Sequence, residues 1–145
     1  MSIEDRAIDS SRQQTADHAR QYLESDGANV DHPAAGHLIL LYTTGRTSGE
    51  IRRTPLRFFD DGDDLVVTAS FRGSPKHPDW YLNILDDPNV WIRHNADLYE
   101  ATASTLEPEA RDEMWAYIVS KAPHFAEYQE ATDRIIPVVR FTRMG

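Results

Sequence analysis

Cysteine is absent from this chain of 145 residues. Disulfides, thiolate catalysis, iron–sulfur clusters and cysteine-ligated zinc are thereby excluded. Basic residues are few beside acidic ones, 15 against 24, for a formal net charge of -9. A chain so acidic lacks the general basic face that nucleic acid requires. Long apolar runs are missing as well: Leu38 to Leu41 falls far short of the ~20 residues that cross a bilayer. Met1 to Asp9 is polar and charged, without the apolar core of a signal peptide, so a cytoplasmic location is expected. The six histidines, His18, His32, His37, His77, His94 and His124, show no paired ligand spacing and are read as solvated or supporting groups, with no metal expected. Asp60 to Asp64 lacks the ligand spacing and distal glutamate of a calcium loop and reads as a hairpin turn. Neither a phosphate-binding P-loop nor a nucleophile elbow is present.

What the sequence does contain is the balance of a globular protein, 40% apolar and 27% charged. The length is that of one domain, expected over 1–145, with 1–36 a peripheral or mobile arm of helix and loop. Ser11 to Ser25 carries a thin apolar stripe (Ala16, Ala19, Tyr22, Leu23) and predicts a helix that ends at Asp26-Gly27. Strands are predicted at Leu38 to Thr43, Ile51 to Phe59 and Leu65 to Ser70. Pro55 inside the second marks it as an edge or a bulge. Phe71 to His77 is a loop. Pro78 and Asp79 open a short helix to Leu85, with Trp80, Tyr81, Ile84 and Leu85 facing inward. Asn89 to His94 and Leu98 to Thr105 form a hairpin. Ala110, Met114 and Ile118, with Tyr117 beside them, give a second amphipathic helix that Pro123 breaks. A short helical piece, His124 to Ala131, precedes a last strand, Ile135 to Phe141. The fold class expected is α+β: about six mainly antiparallel strands in a partly open barrel with peripheral helices.

The most informative stretch is Leu41 to Leu56. A strand enters the turn Gly45-Arg46-Thr47-Ser48-Gly49 and leaves through Arg52 and Arg53. Glycines let backbone N–H groups converge on an anion, and arginine offers a planar fork to phosphate or carboxylate. In an acidic chain this knot reads as either a grip on an anionic ligand or an ordinary hairpin with solvated arginines. Successive strand residues face opposite ways, so only one of Arg52 and Arg53 can easily face a ligand; Arg53 is expected to be solvated. Trp80, Trp91 and Trp115 are read as core, Trp80 with a second role at a site. Tyr22, Tyr42, Tyr81, Tyr99 and Tyr117 are assigned to packing.

Together with Ala69-Ser70, Pro75-Lys76-His77-Pro78-x-Trp80-Tyr81-x-Asn83 and the tail Tyr128-Gln129-x-x-Thr132-Asp133-Arg134-x-Ile136-Pro137, this stretch resembles the deazaflavin-dependent nitroreductase family. These are small split β-barrel proteins of actinobacteria that use the 8-hydroxy-5-deazaflavin coenzyme F420. The resemblance runs from about Leu38 to the end of the chain. It implies that Arg46, Thr47, Ser48, Gly49 and Arg52 hold the anionic tail of the coenzyme. It places Pro55, Ala69, Ser70, Arg72, Gly73, Lys76, Trp80 and Asn83 around the rest of it. Ala122, Phe125 and Tyr128 match a substrate pocket, Tyr128 as a group that orients the substrate or donates a proton. Many relatives have lysine at Thr47, lysine-glycine at Phe71-Arg72, and tyrosines at Ala122 and Phe125, so the pocket mouth is less polar here and nitroreductase activity is put in question. Two tail cations are lost, with Arg72 as a compensating one.

The function expected is an oxidoreductase passing a hydride from reduced coenzyme F420 to a small organic acceptor: a quinone, activated alkene or nitroaromatic. The cofactor carries the redox chemistry and the protein supplies position and electrostatics. An FMN-binding split-barrel oxidoreductase and a non-catalytic carrier of F420 are the alternatives. No nucleic-acid partner is expected, and at most weak membrane contact through the N-terminal helix at the inner membrane face. The chain is expected to be a monomer or a homodimer.

Overall fold

The computed structural model describes residues 2–144; Met1 and Gly145, the ends of the expected domain, lie outside them. The elements run α1 (Ile3–Arg6), α2 (Gln13–Ser25), β1 (Leu38–Thr44), β2 (Ile51–Arg57), β3 (Phe59–Asp61), β4 (Asp64–Thr68), α3 (Asp79–Asp86), β5 (Asn89–His94), β6 (Asp97–Thr105), α4 (Pro108–Lys121), α5 (His124–Glu130) and β7 (Val138–Arg143). A 3-10 turn at Phe71–Gly73 lies between β4 and α3. The strands form one curled, seven-stranded sheet in the order β2-β1-β5-β6-β7-β4-β3. Every ladder is antiparallel, as hairpin connections favour. No helix among the described residues is long and apolar enough to cross a membrane.

Both faces of the sheet are covered, which explains the unbroken apolar run in β1. Side chains alternate between faces: Ile39 and Leu41 enter the concave core with Val67, Ile92, Val139, Trp80 and Ile84. Leu38, Leu40 and Tyr42 instead pack beneath α2 with Ala19 and Tyr22. A third cluster joins Phe59, Val66 and Val138 to Ile118, Ala122 and Phe125 of the last two helices. Tyr22 fixes α2 in place, donating its hydroxyl to the Leu38 carbonyl at 3.0 Å and accepting the Asn95 amide at 2.6 Å.

Four expectations need correction. The sheet has a seventh strand because the segment after Arg57 turns and pairs Phe59 with Val66, drawing Asp60 and Asp61 into a strand and leaving Gly62-Asp63 as the turn. The last strand starts at Val138, and Ile135 is 73% exposed. Leu85 and Tyr117, expected to pack, are 59% and 41% exposed, each at a helix position turned from the sheet. Arg53 is not solvated. Its side chain is 10% exposed, bonds Asp9 at 2.7 and 3.0 Å, and lies over the Tyr42 ring.

That contact also defines the N-terminal arm, which is peripheral yet tied down. Glu4 accepts from Arg93 at 2.6 Å and from the Tyr42 hydroxyl at 3.0 Å. Burial pushes that hydroxyl up to about 12, so it stays a donor at neutral pH. Ile8 bridges the outer side of β2, donating to the Ile51 carbonyl at 2.8 Å and accepting the Arg53 amide at 3.0 Å.

Candidate functional site

The arm, β2, the loop after β4, and helices α3 and α5 enclose an open cleft of about 1070 Å³. Leu56 and Trp80 give it an apolar floor on the concave side, and Pro55 borders it from the other face of β2. Pro55 is tolerated there because β2 is an edge strand, where no neighbouring strand needs its missing N–H.

The loop beside the cleft has an unusual backbone. Phe71, Arg72 and Gly73 take φ of 43°, 53° and 79° in succession. For the two residues with a Cβ this left-handed conformation costs about 1–2 kcal/mol each. Arg134 offsets that cost by fastening the loop. Its guanidinium donates to the carbonyls of Ala69 at 3.0 Å, Ser70 at 2.8 Å and Ser74 at 2.8 Å. It also lies 3.3 Å from His77 Nδ1. Gly73 is the contact point with α5: a Cβ built there would stand 2.6 Å from the Tyr128 carbonyl oxygen and 2.8 Å from the Ala131 Cβ. Arg12 lies 5.0 Å over the Phe71 ring and closes the loop from the arm side.

Of the residues expected at the site, Pro55, Ser70, Arg72, Trp80, Phe125 and Tyr128 line this cleft. Ala69 is buried behind Ser70, its amide donating to the Pro137 carbonyl at 2.9 Å. Thr47, Ser48, Gly49 and Arg52 lie exposed at the β1–β2 turn, outside the cleft lining, and Lys76 is exposed on its own loop. Arg46 links turn to cleft. It donates to Asn83 Oδ1 at 2.9 Å and pairs at 3.3 Å with Asp79, a lining residue. Asn83 is buried, taking the Arg46 amide at 3.2 Å and donating to Thr43 at 3.2 Å; it shapes the turn from below. Ala122, expected in the acceptor pocket, is instead buried against Phe59 and Ile118 and does not line the cleft.

Several lining residues were not anticipated: Arg12, His18, His32, Arg57 and His124. A signal existed for Arg57, which alternation places on the same strand face as Pro55. Arg12, His18 and His32 come from the arm, where no motif marks them. Arg134 stood in the matched tail, but its clamp role depends on carbonyls about sixty residues away.

His18 and His32 meet edge to face at 4.9 Å. Burial first, then His18, Arg72 and Arg57, hold the His32 imidazole below its ordinary value of 6.5. Its Nδ1 accepts the Ala34 amide at 2.8 Å, a bond that protonation would destroy. His77 is lowered likewise, by burial and then by Arg134. Below about 6.5 the unfolded chain therefore binds protons that the folded chain resists, and stability falls as the pH drops. The melting temperature is expected to hold from pH 8 to 7 and to decline below about 6.5. His32→Asn, which keeps an acceptor for the Ala34 amide, should flatten part of that decline; an unchanged slope would show that His32 does not contribute.

The family model for F420H(2)-dependent quinone reductase matches residues 14–142. An F420H(2)-dependent quinone reductase of Mycobacterium tuberculosis (strain ATCC 25618 / H37Rv) is 35% identical over 114 residues, 77% of this chain and 76% of the relative. A solved F420-H2 dependent reductase is 38% identical with a TM-score of 0.66, covering 72% of this chain and 93% of its own. Another solved relative, described as a domain-swapped dimer, is 35% identical with a TM-score of 0.68 over 85% of this chain and 92% of its own. The fold is accordingly a split barrel, and the chain belongs to the F420H(2)-dependent quinone reductase family, as an oxidoreductase whose cofactor is coenzyme F420.

Proposed function

We propose that this protein reduces a small quinone-type acceptor in the cleft, with reduced coenzyme F420 held between the β1–β2 turn and the loop clamped by Arg134. The observation that carries the reading is the make-up of the site: an apolar floor of Leu56 and Trp80 beside cations that have no carboxylate partner among the described residues. Arg52 and Lys76, at the turn and on the loop before α3, take part in no ion pair. A flat ring with an anionic tail fits such a surface. Arg46, Ser48, Gly49, Arg52 and Lys76 would hold the tail; Pro55, Ser70 and Trp80 would border the ring. The chemistry the coenzyme supplies when bound is hydride donation.

The chain's own residues bind, orient and exclude water. Trp80 and Leu56 keep the floor dry, which strengthens electrostatic contacts above it. The Tyr128 hydroxyl, on α5 beside the floor, is the group placed to orient an acceptor oxygen or give it a proton. Phe125 packs edge to face against Tyr128 at 5.4 Å and limits its motion. A homodimer is the assembly that the domain-swapped relative supports.

The test is a tryptophan-fluorescence titration with oxidised coenzyme F420 and, in parallel, with FMN, followed by a panel of quinones, activated alkenes and nitroaromatics. Saturable binding of the deazaflavin is expected, weakened about tenfold or more in Arg46→Ala/Arg52→Ala through loss of charge-assisted bonds. Quinones should be turned over fastest. Preference for FMN would overturn the cofactor assignment, and tight F420 binding with no turnover would make the protein a carrier.

A further inference from the structure

The resemblance assigns the coenzyme's anionic tail to the β1–β2 turn, with Arg72 as a compensating cation; of these Arg72 lines the cleft and Arg46 meets it through Asp79. The cleft nevertheless has its own cationic end. Arg12 comes from the arm, Arg57 from β2 and Arg72 from the left-handed loop. The carboxylates in the lining are Asp31, exposed, and Asp79, already paired with Arg46. In a chain of formal net charge -9 this is a marked local reversal of sign. Of the thirteen arginines seven are ion-paired among the described residues; of the six that are not, Arg12, Arg57 and Arg72 line this cleft, while Arg6, Arg52 and Arg134 lie outside its lining.

Arg57 is the most telling of them. Its guanidinium lies 5.0 Å over the Phe59 ring, which fixes the side chain, and its Nε is buried without a hydrogen-bond partner among the described residues. A buried donor left unpaired is costly unless something else meets it. The Nε itself is closed to solvent, as is that of the ion-paired Arg93, so what Arg57 offers the cleft is the charge of a guanidinium that lines it without a carboxylate partner.

We propose that this end of the cleft is an anion subsite for the acceptor, so that the preferred substrates carry a carboxylate or similar anionic group beside their reducible ring, met by Arg57 with Arg12 in support. Resting on the reductase reading above, this narrows its substrate class. A neutral ring alone would leave Arg57 without an anionic partner; an anionic substituent supplies one and orients the ring in the cleft. The low-dielectric floor makes each such contact stronger than it would be in water.

The experiment measures binding separately from turnover. Calorimetric titrations with 2-naphthoate and its neutral isostere 2-naphthamide, neither of them reducible here, are run on the protein saturated with oxidised coenzyme F420 and on the protein alone. At least about tenfold tighter binding of the naphthoate is expected, the size of one charge-assisted hydrogen bond. Arg57→Gln should remove most of that preference and Arg57→Lys should retain much of it, with melting curves showing that both variants are folded. Coenzyme affinity, titrated on the same samples, should change less than twofold. In turnover, the ratio of kcat/KM for 1,4-naphthoquinone-2-sulfonate over 1,4-naphthoquinone should drop about tenfold from wild type to Arg57→Gln, a comparison that cancels the intrinsic reactivity of the two quinones.

Equal binding of naphthoate and naphthamide overturns the proposal, as does a preference that survives both Arg57→Gln and Arg12→Gln. Coenzyme affinity that falls in step with the naphthoate preference also overturns it, because the cations would then belong to the cofactor's tail. A naphthoate preference in a protein that reduces no quinone supports the subsite and overturns the quinone reading instead.

Discussion

Arg134→Met is expected to lower stability by about 3 kcal/mol and to weaken coenzyme F420 binding more than tenfold. The guanidinium holds carbonyls from Ala69, Ser70 and Ser74 at once, so one side chain determines the path of the whole loop beside the cleft. Bonds from a charged donor contribute about 1.5–3 kcal/mol each when well buried. Arg134 is only partly buried, so solvent screening brings each of its three carbonyl bonds down to about 1 kcal/mol. Without the fork, Phe71 and Arg72 would relax out of their left-handed conformation and take Ser70 with them. Arg134→Lys separates position from charge: an ammonium cannot span three carbonyls in a plane, so partial rescue is expected. Chemical denaturation gives the stability change and fluorescence titration the affinity. A methionine variant with wild-type affinity would show that the loop keeps its shape without the clamp.

Gly73→Ala is expected to cost about 3 kcal/mol or more, from two sources. A left-handed φ of 79° disfavours any side chain by about 1 kcal/mol. The larger source is the collision with the Tyr128 carbonyl and the Ala131 Cβ, where overpacking costs a further 1–3 kcal/mol or so. Relief requires α5 to move away from the loop, which carries Tyr128 with it, so acceptor KM should rise with the loss of stability. Gly36→Ala is the control: its φ is 87°, yet a Cβ there meets nothing within 4 Å, so only the backbone cost of about 1 kcal/mol should appear. Equal effects at both positions would exclude the loop–helix contact as the cause.

These two residues mark the boundary of what could be read in advance. Features encoded locally were legible: the β1–β2 turn with its glycines, the edge strand marked by Pro55, and the helix opened by Pro78-Asp79. The hidden features arise where distant segments meet. The tail motif contained Arg134, but not the fact that its partners lie 60 to 65 positions upstream. Arg53 looked solvated because its partner Asp9 lies 44 positions away on the arm. Ala122 took its expected place by position in a family pattern, and the packing of α4 on the sheet turned it inward. The cationic end of the cleft was invisible for the same reason, since each of its members comes from a different element.

The bridge between Ile8 and β2 has a meaning beyond holding the arm. A curled sheet that never closes has two open borders, and a bare border recruits the backbone of the next molecule. Along β2, Ile8 occupies the Ile51 carbonyl and the Arg53 amide, and two residues farther on Pro55 offers no N–H at all. At the opposite border β3 is three residues long and carries Asp60 and Asp61, too short and too charged to template a neighbour. The arm and the proline that borders the cleft thus also serve as guards against strand-by-strand aggregation, and trimming the first ten residues would uncover the Ile51 carbonyl and the Arg53 amide on the outer side of β2.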